Sequence, residues 1–140
     1  MSSKSIVLDA NIVIRAVLGE RVRNLIIQHQ NKVDFFVPDV CIMDAHKYIP
    51  QIFEKRKISA GPALELLKEL EHIFNIVEVD VYEQYSNEAK ERMKDRDLDD
   101  WPIVATSLVL DCSIWTEDKD FFGSGMSTWT TDRIHVFLPK

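Results

Sequence analysis

The hydrophobic residues of this chain fall into two alternating patterns. Short continuous apolar runs predict buried strands, and segments with apolar residues every three or four positions predict helices with one buried face. The runs predict strands at residues 5–8, 34–37, 76–79, 113–115 and 134–138. The longer segments between them predict helices at 12–19, 21–30, 40–57, 59–71, 80–96 and 102–110. This alternation favours a three-layer α/β/α sandwich around a mainly parallel central sheet.

Length and composition support one compact unit. The chain has 140 residues without a repeat or linker, so we predict a single domain over residues 1–140. Apolar residues make up 46% of the sequence, enough for a core and too many for a disordered chain. No apolar run reaches the length of a membrane span, and MSSKS lacks the apolar core of a signal peptide. We therefore expect a cytoplasmic protein without membrane association.

The net charge of −6 excludes one class of function. Proteins that coat nucleic acid electrostatically are basic, because binding depends on neutralising many phosphates. The charge does not exclude an enzyme that binds RNA through a metal ion and a few local cations.

Aspartates follow two of the predicted strands and precede one predicted helix. Asp9 comes directly after the strand at 5–8, Asp118 follows the strand at 113–115, and Asp100 precedes the helix at 102–110. The carboxyl ends of parallel strands and the N-termini of helices meet at one edge of such a sheet, so these carboxylates converge. Three carboxylates in one crevice repel each other. A hard cation with oxygen ligands, Mg²⁺ or Mn²⁺, is the simplest neutralising partner.

Each acid also has a purely structural interpretation. Asp9, Asp100 and Asp118 are all placed to cap a following turn or helix, and Asp39 is placed to cap the helix at 40–57. For other acids the structural interpretation is the preferred one. We expect a solvated charge run that includes one helix cap at Asp97 and Asp99, and a surface residue at Asp120.

The acidic segments resemble a known family. IVLDAN, DDWPIVATSL and IWTEDKDF are similar, in this order and over essentially the whole chain, to the three acidic motifs of PIN domains. Those domains are small metal-dependent ribonucleases, many of them VapC-type toxins of toxin–antitoxin pairs. The family carries a fourth acid, usually glutamate, in the helix after the second strand. The matching segment here, VPDVCIMDAHKY, offers Asp44.

The resemblance implies a division of roles. Asp9, Asp100 and Asp118 would hold one or two Mg²⁺ or Mn²⁺ ions, and Asp44 would orient the attacking water or complete the shell of an ion. Asn11 and Thr116 lie beside the acids and would hold the carboxylates by hydrogen bonds. The implied reaction is hydrolysis of RNA phosphodiester bonds. The implied partners are RNA, a cognate antitoxin and a second copy of the chain.

Two other classes of function stay open on the sequence. One is a phosphoacceptor signalling domain, also a parallel α/β fold with an acidic Mg²⁺ pocket, although the segment Asp9-Ala10-Asn11 lacks the usual pair of acids. The other is a non-catalytic PIN-like module that binds nucleic acid, because Asp44 is one methylene shorter than the family's usual glutamate.

Overall fold

Five strands form one fully parallel sheet in the part of the chain that the computed structural model describes, residues 4–140. The strand order is β3-β2-β1-β4-β5. Every neighbouring pair in this order is parallel. The strands are β1 (Lys4–Leu8), β2 (Val33–Pro38), β3 (Asn75–Val77), β4 (Ser113–Trp115) and β5 (Thr128–Trp129).

Helices connect the strands. The α-helices are α1 (Ala10–Leu18), α2 (Glu20–His29), α3 (Asp39–Lys55), α4 (Gly61–Glu71), α5 (Val79–Tyr82), α6 (Ser86–Met93), α7 (Trp101–Leu110) and α8 (Ile134–Phe137). Single turns of 3₁₀ helix lie at Glu83–Tyr85, Leu98–Asp100 and Lys119–Phe121.

The core lies at the centre of the sheet and beneath two groups of helices. Ile6, Val7 and Leu8 of β1 are fully buried because the strand lies between β2 and β4. Helix α1 packs against α2, α3 and α4, whereas α7 packs against α5 and α6. The predicted three-layer α/β/α sandwich with a parallel sheet is therefore confirmed.

No helix between residues 4 and 140 combines the length and apolar character that crossing a membrane requires.

The prediction of a last strand at 134–138 is wrong. Ile134–Phe137 forms α8, with Ile134 buried and His135 and Val136 exposed, and Leu138 directly after the helix is also buried. Burial four residues apart is the spacing of one helix face. The fifth strand is instead β5, which lies in the segment that the sequence predicts as a loop. Its two residues are too few to show a periodic pattern.

The prediction that Asp39 caps a helix is also wrong. Asp39 is the first residue of α3, Pro38 occupies the N-cap position, and no side chain caps the helix there. The Asp39 carboxylate instead accepts hydrogen bonds from the Tyr82 hydroxyl (2.7 Å) and the Val79 amide (3.2 Å). Asp39 thus joins the start of α3 to α5.

Candidate functional site

Strands β1 and β4 end side by side, and this places two of the candidate acids. Leu8 pairs with Trp115 in the ladder, and the Asp9 amide donates to the Trp115 carbonyl at 3.1 Å. The residues that follow, Asp9 and Thr116, therefore leave the sheet at the same edge. Both are buried.

A chain of hydrogen bonds joins Asp118 to Asp9 through Thr116. The Asp118 amide donates to Thr116 Oγ1 at 2.9 Å, so the Thr116 hydroxyl directs its own proton to Asp9 Oδ2, 2.7 Å away. Asn11 Nδ2 donates to the same Asp9 oxygen at 2.9 Å. The two polar residues that the sequence places beside the acids therefore both donate to Asp9 and fix the orientation of its carboxylate.

The turn before α7 supplies two more acids. Asp97 Oδ1 accepts the Asp99 amide at 3.1 Å and caps the 3₁₀ turn Leu98–Asp100. Asp100 stands at the N-cap position of α7, yet its side chain makes no capping hydrogen bond. The structural interpretation of Asp100 as a helix cap is therefore not supported. The cap predicted within the charge run is Asp97.

Three carboxylates come together from these two segments. One oxygen from each of Asp97, Asp100 and Asp118 lies within 4.8 Å of the others, and all three residues are partly buried. Asp9 lies outside this group of three, but its charge acts on both Asp100 and Asp118. The structure thus brings together three sequence-predicted acids, Asp9, Asp100 and Asp118, and adds one that the sequence reasoning left out.

The sequence predicts Asp97 as part of a solvated charge run, although its spacing of three residues from Asp100 indicates a shared side of a 3₁₀ turn. In a 3₁₀ turn, side chains three residues apart lie one above the other. Asp97 and Asp100 have that spacing, so a turn before α7 places both carboxylates on one side. Two further aspartates of these segments, Asp99 and Asp120, are exposed, and the backbone amide of Asp120 donates a hydrogen bond to Asp118 Oδ1.

The environment of the cluster disfavours negative charge. Burial raises the pKa of Asp100 to about 8, and the neighbouring Asp9, Asp97 and Asp118 add to the shift. Burial also raises the pKa of Asp9, against the opposing effect of the Thr116 hydrogen bond. Among the described residues, lysine, arginine and histidine side chains make their ion pairs elsewhere, with Asp132, Glu71, Glu88 and Glu91. The cluster is therefore a site of unbalanced negative charge.

Asp44 faces the same region from α3. It is exposed in the second turn of the helix and lines a cavity of about 760 Å³ together with Asp97, Asp99 and Asp100. The pKa of the Cys41 thiol responds to the charges of these acids, which indicates that they lie near one another. Burial raises its pKa well above the usual value, and the charges of Asp9, Asp44 and Asp100 raise it further.

The cluster has the composition of a site for a hard divalent cation. Two oxygens bonded to one Mg²⁺ at about 2.1 Å lie at most about 4.2 Å apart, close to the 4.8 Å limit that contains the three carboxylates. All donors are carboxylate oxygens, which Mg²⁺ and Mn²⁺ prefer. The raised pKa of Asp100 is consistent with such a site, because a bound cation displaces the proton that repulsion otherwise retains.

Comparison with protein families gives one match over nearly the whole chain. The model of the family described as PIN domain matches residues 7–139. This range contains every acid named above. A comparison with curated protein sequences finds no significant match.

Several solved structures share the fold at low sequence identity. VapBC2 from Rickettsia felis, bound to a DNA fragment from its promoter, is 11% identical with a TM-score of 0.69, over 90% of this chain and 98% of that chain. PAE2754 from Pyrobaculum aerophilum is 14% identical with a TM-score of 0.67, over 93% and 85%. A toxin–antitoxin complex from Klebsiella pneumoniae is 18% identical with a TM-score of 0.64, over 93% and 98%. These likenesses establish the fold.

We predict that Asp100→Asn raises the melting temperature of the metal-free protein. The pKa of Asp100 in the folded protein, about 8, lies above the ordinary value of 3.8. The protonated carboxyl therefore contributes its full share to the free energy of unfolding below about pH 4, and this contribution is lost as the pH rises toward 8. The variant lacks this titration, so its advantage in EDTA should grow from about pH 4 to about pH 8. Mn²⁺ should stabilise the unmodified protein much more than the variant.

Thermal melts in EDTA and in Mn²⁺ across this pH range test the prediction, with exposed Asp99→Asn as the control. Loss of an ordinary helix cap would instead cost about 1 kcal/mol and lower the melting temperature without metal dependence. If Asp100→Asn melts lower in EDTA and both proteins respond alike to Mn²⁺, the acids do not form the repulsive cluster described above.

Proposed function

The chain belongs to the PIN domain family, whose members are generally nucleases, and on that premise we propose that it is a metal-dependent endoribonuclease. The observation that carries the proposal is the partly buried cluster of Asp97, Asp100 and Asp118, next to buried Asp9 at the carboxyl edge of the sheet. Carboxylates gathered without a balancing cation favour a bound divalent ion over a structural role.

The proposed catalytic residues are Asp9, Asp44, Asp100 and Asp118, with Mg²⁺ or Mn²⁺ as the cofactor. Asp9, Asp100 and Asp118 hold the ion, and Asp97 joins them as a fourth donor that the geometry supports. When bound, the ion lowers the pKa of a coordinated water and stabilises negative charge on the attacking and leaving oxygens of the phosphodiester.

The polar residues act by fixing the donors. Thr116 Oγ1 and Asn11 Nδ2 both donate to Asp9 Oδ2, so the other oxygen of Asp9 is the one left to bind an ion. The Asp118 amide, held on Thr116, keeps the second acidic segment in register with the first. The donor geometry is thus set before the ion arrives, which reduces the cost of ordering the site.

Asp44 is proposed to orient the attacking water. It lines the cavity beside Asp97 and Asp100 but does not belong to the group of three close carboxylates. An aspartate reaches one methylene less far than the family's usual glutamate, so a contact through water fits its position.

The second candidate function, a non-catalytic module that binds nucleic acid, depends on the same observation: the Asp44 side chain is exposed and short. Membership of the PIN domain family disfavours the phosphoacceptor alternative.

We also propose that the chain is the toxin of a type II toxin–antitoxin pair, acts on RNA and forms a homodimer. One of the structures with this fold is described as a toxin–antitoxin complex, and another is VapBC2 bound to a fragment of promoter DNA. The acidic cavity and the net charge of −6 match a partner with a cationic segment. Such a segment would compete with the metal ion for the same carboxylates.

The enzymatic proposal predicts RNA cleavage that requires Mg²⁺ or Mn²⁺. Asp9→Asn and Asp118→Asn should reduce cleavage to background because each removes a charged donor. Asparagine at position 118 can still cap the turn at Lys119–Phe121, where Asp118 Oδ1 accepts the Asp120 amide at 2.9 Å. Loss of activity in that variant therefore reports the charge rather than the fold.

A labelled single-stranded RNA, incubated with each protein in Mn²⁺ and in excess EDTA, gives the measurement. Exposed Asp132→Asn, which lies outside the acidic cavity, is the control and should cleave like the unmodified protein. Undiminished cleavage in EDTA would contradict the metal requirement. Metal and RNA binding without cleavage would favour the non-catalytic module.

The role proposed for Asp44 predicts a separation of turnover from metal binding. Asp44→Asn should lower the rate of cleavage while leaving Mn²⁺ affinity nearly unchanged, because water orientation needs the charge and ion binding does not. Asp44→Glu should retain or raise activity. Calorimetric titration with Mn²⁺ beside a turnover assay measures both. A loss of Mn²⁺ affinity as large as that of Asp9→Asn would assign Asp44 to the ion instead.

The partner proposal predicts a dimer in solution and inhibition by a cationic peptide. Light scattering at micromolar concentration should give twice the 16.2 kDa mass of one chain. An arginine-rich peptide should inhibit RNA cleavage, and excess Mn²⁺ should weaken the inhibition, because peptide and ion share the carboxylates. A peptide of the same length with glutamates is the control. A strictly monomeric protein would count against the dimer, and equal inhibition by both peptides would count against the charge argument.

A further inference from the structure

Two arginines near the end of α6 connect the two acidic segments of the site. Arg92 Nη1 donates to the Ser124 carbonyl at 2.8 Å, and Arg96 Nε donates to the Phe122 carbonyl at 3.1 Å. Arg92 is held in turn by Glu88, one helical turn earlier, through a 3.0 Å ion pair. Arg92 from α6 and Arg96 from the turn after it therefore both reach the segment that follows Asp118.

Two glycines make this contact unusually close. Gly123 and Gly125 have φ values of +86° and +88°, a conformation that side chains rarely adopt. A Cβ atom at Gly123 would lie 2.4 Å from Arg96 Nη2, and one at Gly125 would lie 2.1 Å from Arg92 Nη1. A Cβ atom at either position would displace the guanidinium group, so glycine permits this close approach. The arginines and glycines thus form a fitted pair of contacts, which we call the arginine–glycine lock.

The lock lies close in sequence to the carboxylates on both of its sides. Arg96 directly precedes Asp97, the cap of the turn that contains Asp100. The accepting carbonyl of Phe122 comes four residues after Asp118, with the fully buried Phe121 between them as an anchor. A shift at the lock is therefore passed to Asp97 on one side and to Asp118 on the other.

The cluster needs such a restraint because its members repel one another. Two charges 4 Å apart cost about 4 kcal/mol at an effective dielectric of 20. The three clustered carboxylates come from two separate segments: Asp97 and Asp100 from one, Asp118 from the other. Packing of α7 against β1 and β4 sets the approximate positions of the two segments, and contacts beyond the sheet can restrain them further. The hydrogen bonds of the lock span the two segments.

We propose that Arg92 and Arg96 are positioning residues that hold the Asp97–Asp100 segment and the Asp118 segment at their mutual distance. The consequence for metal binding rests on the proposed function, while the restraint itself does not. The arginines touch neither substrate nor ion in this scheme. They act through the two backbone carbonyls, and Gly123 and Gly125 permit the approach.

Positioning and simple electrostatics predict opposite effects on metal affinity. An arginine near a cation site repels the cation, so by charge alone Arg96→Met should tighten Mn²⁺ binding. If the arginine holds the carboxylates in place, its loss should weaken Mn²⁺ binding despite the removed positive charge. Losing residues that orient metal ligands typically costs about 10–100-fold in affinity. The sign of the change therefore separates the two roles.

The experiment compares Arg92→Gln, Arg96→Met and Gly125→Ala with a matched control, Arg23→Gln. Arg23 also donates to carbonyls, those of Ala16 and Val17, but at the corner between α1 and α2. Two measurements are made on each full-length protein. Amide hydrogen exchange of the metal-free protein reports residues 97–100 and 118–124, and calorimetry gives the dissociation constant for Mn²⁺.

The proposal predicts faster exchange in both segments for all three lock variants, and about tenfold or greater weakening of Mn²⁺ binding. The control should show neither change, even with a similar loss of melting temperature. Arg96→Lys keeps a positive charge and N–H donors for the Phe122 carbonyl, so it should retain more of the restraint than Arg96→Met. Unchanged exchange in the lock variants, or unchanged or tighter Mn²⁺ binding, overturns the proposal. If the unmodified protein binds no Mn²⁺, the proposed function fails, and the exchange data still decide whether the lock holds the segments.

Discussion

The central constraint on this structure is the electrostatic repulsion between carboxylates that the fold holds close together. Asp97, Asp100 and Asp118 each place an oxygen within 4.8 Å of the others, with buried Asp9 close enough to act on two of them. Burial and like charge together raise the pKa of Asp100 to about 8. A protein that keeps such an arrangement stores unfavourable free energy, which a bound cation would release.

The parallel sheet supplies the framework that opposes this repulsion. β1 and β4 are adjacent, so Asp9 and Thr116 emerge together, and the Thr116 hydroxyl bridges Asp9 to the Asp118 amide. The hydrogen bonds from Arg92 and Arg96 join α6 to the segment after Asp118. Rigid strand ends thus fix one part of the site, and side-chain contacts between loops fix the other. Membership of the PIN domain family gives this arrangement a functional context.

The sequence predicts the parts of the site that follow from strand ends. Asp9 and Asp118 come directly after apolar runs, and the parallel topology alone brings them to one edge. The sequence does not predict Asp97 as a site residue, because an acid within a charged stretch is usually solvated. Its position beside Asp100 follows from the 3₁₀ turn, which the sequence analysis does not predict. The same limit applies to the fold. β5 has only two residues, too few for an alternating pattern of apolar and polar positions. The segment Ile134–Phe137 predicts a strand although it forms α8, because a helix of one turn is too short to show the helical spacing of apolar residues.

The central claim is that these carboxylates form one divalent-cation site, and a crystal structure grown with Mn²⁺ tests it most directly. Anomalous scattering locates manganese independently of any assumption about ligands. The account predicts a strong anomalous peak in contact with oxygens of Asp100 and Asp118, with Asp9 or Asp97 completing the protein ligands. Manganese bound only elsewhere, or no anomalous peak at saturating Mn²⁺ with the carboxylates still clustered, would contradict it.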